Sequence, residues 1–134
     1  MLNELNEYLN GNMSEDYWYD EALFICQNIL KEFSYNNWIE LLQTIPKKNI
    51  RWKIRLAECV GDNQSSYELQ CIMKMINTDN NDLFIACIDS LRNLDLSSLD
   101  ENNRNEIKNQ VKLLLEKSSP PVKKVFQDFL HKCD

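Results

Sequence analysis

The sequence predicts an all-α protein: antiparallel helical hairpins, about eight helices in all, stacked as a short α-solenoid. Three observations carry that expectation. Only two of the 134 residues are glycine and three are proline, too few for the positive-φ turns of a strand-rich fold. Apolar residues recur at i, i+3 and i+4 in one run after another, which is the spacing of a helix face. Between the runs stand Ser, Asn and Asp, residues that cap helices and form turns. With 43% hydrophobic and 27% charged residues, the chain has the make-up of an ordinary soluble domain. Its length suits a single one, residues 1–134.

Leu2, Leu5 and Leu9 share the face of a first helix, with Gly11 as its C′ residue. Ser14 can cap a second helix whose buried stripe is Trp18, Ala22, Cys26, Ile29, Leu30 and Phe33. Its first turns hold Glu15, Asp16, Asp20 and Glu21, and Tyr17, Asp20, Phe24 and Lys31 fall toward the other side, to contact a partner or to pack against the first helix. Ser34 opens a third helix through Trp38, Leu41, Leu42 and Ile45, and Pro46 ends it. A fourth runs over about 50–60 to Gly61. In Ser65-Ser66-Tyr67-Glu68 the spacing is that of a capping box opening the fifth. The sixth, about 81–94, contains Leu-Phe-Ile-Ala-Cys-Ile from Leu83, apolar on consecutive positions, and so should be central. A polar seventh helix, about 100–117, buries only Ile107, Val111, Leu114 and Leu115. Pro120 and Pro121 sit in the first turn of the eighth, where proline is tolerated; Phe126 and Phe129 close the core.

The fourth and sixth helices can be superimposed with an offset of 31 residues: Trp52 falls on Leu83, Ile54 on Ile85, Ala57 on Ile88, Glu58 on Asp89 and Val60 on Leu91. A fixed offset with apolar on apolar and acid on acid is the mark of a repeat. Stacked repeats would align Glu58 and Asp89 along one surface, as a ladder setting the register or as an acidic row facing a partner. Local ion pairs are expected for Arg55 with Glu58 and for Asp89 with Arg92, each at i, i+3. Trp52 belongs to the core or to a groove edge; tryptophan is also common at binding hot spots.

Chemistry is sparse. The lone histidine, His131, lies at the chain's end, where a triad is hard to hold rigid. Two glycines exclude a dinucleotide or P-loop fingerprint. The five cysteines show no metal-ligand spacing, and four sit in helical apolar patterns, so neither zinc nor a disulfide framework is expected. No cofactor, metal or catalytic role is anticipated. The net charge of −6 is concentrated early: residues 1–33 hold seven acids and one base. Such a field disfavours nucleic acid and anionic membranes and suits a basic protein partner. Neither a signal peptide nor a span of about 20 apolar residues is visible, which fits the cytoplasm.

The segments RWKIRLAECVGD and FIACIDSLRNLD resemble HEAT-like helical repeats, matching at Arg55, Ala57, Glu58, Val60 and Gly61 and again at Asp89, Ser90, Leu91 and Arg92. More narrowly, W-x-x-R-x-x-E-C-x-G ahead of D-S-L-R in a small acidic chain is similar to the immunity proteins of bacterial contact-dependent inhibition and other polymorphic toxin systems. The resemblance covers residues 51–95; the long link at Ser97–Asp100 and the solvated seventh helix depart from a regular array. It implies a cytoplasmic inhibitor of a cognate toxin, often a basic nuclease. Asp16, Tyr17, Asp20, Phe24, Trp52, Glu58, Asp89 and Arg92 are the candidate partner-binding residues. The competing expectation is a HEAT-like scaffold for cellular proteins with no toxin involved.

Overall fold

The computed structural model describes residues 1–61 and 65–134, and every regular element among them is helical. Eight helices follow in order: α1 (Leu2–Asn10), α2 (residues 15–31), α3 (Tyr35–Thr44), α4 (Ile50–Cys59), α5 (Ser66–Met75), α6 (Asn81–Leu91), α7 (Glu101–Leu115) and α8 (Pro120–Cys133). A 3-10 turn, Ile45–Lys47, carries Pro46 between α3 and α4.

Polar residues between the apolar runs start the helices. The Ser14 hydroxyl accepts from the Tyr17 N–H at 3.1 Å. Ser34 and Asn37 form a reciprocal capping box. Asn49, Asn80 and Asp100 accept from the N–H of Trp52, Leu83 and Asn103 at 2.9, 2.9 and 2.7 Å. Each such cap stabilises its helix by roughly 1 kcal/mol. At the start of α5, Glu68 reaches back to the Ser65 N–H as the spelling predicts. Its second oxygen accepts from the Gly61 N–H at 3.0 Å, so a wholly buried carboxylate ties the end of α4 to the start of α5.

The two glycines do different work. Gly61 has φ +109°, and a Cβ there would stand 3.4 Å from the Ser90 carbonyl oxygen. Gly11 does not take the left-handed conformation expected of a C′ residue; its φ is −65° with extended ψ. What it supplies is room, since a Cβ would lie 2.9 Å from the Glu7 carbonyl oxygen.

Packing follows a simple alternation. Among the even-numbered helices α2 touches α4, α4 touches α6, and α6 touches α8; α1, α3 and α5 likewise pack in succession. The broadest contact is between α4 and α6, the two helices related by the 31-residue offset. Trp52, Leu56 and Ala57 of α4 meet a core that includes Leu83, Cys87, Ile88 and Leu91 of α6. Ser90 is buried at this junction and donates to the carbonyls of Ala57 and Val60. Thus α6 is central as expected, but it shares that position with α4, and its Ile85 and Ala86 are only half-buried. In α7 only Ile107 and Val111 are buried, so most of it is solvated, and α8 closes the core with Phe126 and Phe129. No helix of the described residues is long and apolar enough to cross a membrane.

Candidate partner-binding site

Helix α2 positions the most distinctive cluster. Its residues Trp18–Ala22 form a π-helical turn, closed by a bond from the Leu23 N–H to the Trp18 carbonyl. Such wide turns recur at functional sites. The altered register lets two consecutive aromatics serve one carboxylate. The Trp18 Nε1–H donates to Glu58 Oε1 at 3.1 Å and the Tyr19 hydroxyl to Oε2 at 2.6 Å. Behind Trp18 lies Arg55, its guanidinium 5.1 Å from the ring centroid.

The electrostatics of the cluster are those of a charge held in a confined place. Burial pushes the Glu58 carboxyl above the usual range, and nearby Asp89 pushes the same way. The bonds from Tyr19 and Trp18 and the charge of Arg55 oppose this. The bond to Glu58, followed by burial, raises the Tyr19 hydroxyl to about 12. Burial lowers Arg55 from its ordinary value, as does neighbouring Arg51.

Glu58 and Asp89 line one groove of about 250 Å³ together with Tyr19, Gln27 and Asn93. A second groove of about 250 Å³, bounded by Met13, Glu15, Arg51 and Ile54, meets the first at Tyr19 and Glu58. The alignment of the two acids therefore places both in one hollow between α2, α4 and α6. Their uses differ: Glu58 is held internally, while Asp89 is exposed and pairs with Arg92, which also donates to Asp128 at 2.9 Å.

The remaining candidates separate cleanly. Asp16, Tyr17, Asp20 and Phe24 all lie exposed on α2, with Tyr17 at 41% and Phe24 at 57% of full exposure, so this face points away from the core. Trp52 is wholly buried; its Nε1–H donates to Asn6 Oδ1 at 3.0 Å, and Lys48 Nζ stands 5.4 Å from the ring centroid. Its place is the core, out of a partner's reach. The expected Arg55–Glu58 ion pair is not formed. Arg55 Nη1 instead donates to the carbonyls of Leu9 and Gly11 at 3.1 and 2.8 Å, and Arg51 reaches the Asn10 carbonyl at 3.0 Å.

Sequence reasoning placed Trp18 in the core stripe, gave Arg55 to an ion pair with Glu58, and passed over Tyr19. One signal for Tyr19 was available: Tyr17-Trp18-Tyr19 puts three aromatics in a row, and one buried helix face cannot take all three. Among the described residues no cluster of His, Cys, Asp and Glu could hold a metal ion. Burial pushes the Cys59 and Cys71 thiols up and Cys87 to about 12, a poor setting for a thiolate nucleophile. Compared with family models, with curated proteins and with solved structures, the chain gives no match.

Proposed function

We propose that the chain is an immunity protein, built as a short HEAT-like stack of helical pairs, that binds and neutralises a basic toxin domain in the cytoplasm. It acts by covering its target and has no catalysis of its own. The succession of even-numbered and odd-numbered helices supports the stacked reading. The observation that carries the function is the outer face of α2. There Tyr17 and Phe24 are exposed beside Asp16 and Asp20, within a segment of seven acids and one base. An acidic field speeds encounter with a basic protein, and exposed aromatics beside it supply anchors that can be buried on contact.

The direct test is co-expression with the product of the gene immediately upstream. Both proteins should co-purify, and growth arrested by that product should be restored. Phe24→Ala should weaken the complex roughly thirtyfold, since an aromatic anchor contributes about 2 kcal/mol. If neither capture nor rescue occurs, the inhibitor reading is wrong. Recovery of a resident cellular protein would then favour the scaffold.

A further inference from the structure

Helices α1, α3 and α5 pack in succession, but α7 leaves that row and packs on α8. Where it would have followed α5, a trough opens. Its larger part, about 430 Å³, is lined by the buried side chains of Ile76, Phe84 and Ile107, with exposed Asn77, Asp79, Glu106 and Gln110 above them. A second hollow of about 340 Å³ continues from Met73 toward Leu69 and Lys74. Leu69, Met73 and Ile76 lie at i, i+4 and i+7, so one apolar edge of α5 and its C-cap borders the two hollows, with Leu69 and Ile76 buried and Met73 half-buried.

The chemistry of the trough selects its occupant. Asn77 and Gln110 carry amides that can both donate and accept. That pairing fits a backbone whose N–H and C=O groups are still free, as in an extended chain; a helix has already satisfied its own. Asp79 and Glu106 add two negative charges, and no Lys or Arg lines the larger hollow. We propose that this trough docks an extended segment of a partner protein that carries lysine or arginine beside an apolar residue. It is a surface separate from the α2 face. The apolar residue enters toward Ile76 and Phe84, the cation meets Asp79 and Glu106, and methionine at the junction adapts to different shapes.

The test needs no toxin. The isotope-labelled protein is titrated with the peptide Ac-Ala-Lys-Leu-Lys-Ala-NH2 and followed by NMR. Saturable shifts are expected at the side-chain amides of Asn77 and Gln110 and along residues 106–110. The double variant Asp79→Lys, Glu106→Lys should bind about tenfold more weakly, and Gln110→Ala should also lose affinity. All three positions are exposed, so circular dichroism should be unchanged. Shifts confined to residues 16–24, a titration that never saturates, or unchanged affinity in the double variant would each overturn the proposal. None of those results counts against the inhibitor reading, which rests on the α2 face.

Discussion

Glu58 carries its charge where burial opposes one, and two aromatic donors make that tolerable. A bond to a carboxylate is stronger than one between neutral groups, but Tyr19 is about half exposed and its share is correspondingly reduced. Tyr19→Phe should therefore lower stability by about 1 kcal/mol in urea unfolding at neutral pH. The pH dependence has a definite sign. The folded Tyr19 value, about 12, lies above the ordinary 10. Its contribution is complete below pH 10 and is lost as pH rises through 12. A late step in tyrosinate absorbance should be present in the native chain and missing in Tyr19→Phe. Glu58 behaves in the same direction in the acid range, since its raised value favours the protonated acid and ionisation works against the fold. The 31-residue offset singled out Glu58 from the sequence alone. Its donors lie 40 and 39 residues away on a π turn, and no local pattern announces such a turn.

Helix ends show the same division between local and distant causes. Starts were readable, because an N-cap is a bond between residues three apart. Several stops were readable too, at Gly11, Pro46 and Gly61. What satisfies the final carbonyls was not: at the ends of α1 and α6 they are met across space by cations from later helices. Arg55 and Arg51 of α4 serve α1 in this way. Lys132 of α8 does so for α6, donating to Leu91 at 3.2 Å, Arg92 at 2.8 Å and Leu94. Removing Arg55 takes the donor from the buried Leu9 carbonyl and from the part-buried Gly11 carbonyl. Arg55→Met should destabilise the protein by about 2–3 kcal/mol, with hydrogen exchange rising first in residues 2–10. A nine-residue helix is marginal without its neighbours. An unaltered exchange pattern in α1 would refute this role for Arg55.

At the scale of the whole molecule, charge is the property most easily read from sequence and most easily tested. Asp16→Asn with Asp20→Asn leaves the core untouched, as both side chains are exposed. With the co-purified partner, the pair should slow association roughly three- to tenfold at low salt and flatten its salt dependence, while dissociation changes little. The likeness of α4 and α6 was visible as a 31-residue offset, and the two helices form the broadest contact. The break before α7 was visible, in the Ser97–Asp100 link and in the polar seventh helix; the neighbour α7 chooses was not, because its own stripe of Ile107 and Val111 is silent on that. The caps supplied from later helices also bear on synthesis. On the ribosome, the last turn of α1 lacks the cations that meet its carbonyls until Arg51 and then Arg55 emerge, Arg55 standing 44 residues after Gly11. At 5–20 residues per second that is a wait of roughly 2–9 seconds. The end of α6 waits in turn for Lys132, 41 residues beyond Leu91. These two helices are thus left unfinished during synthesis until a later segment arrives to complete them.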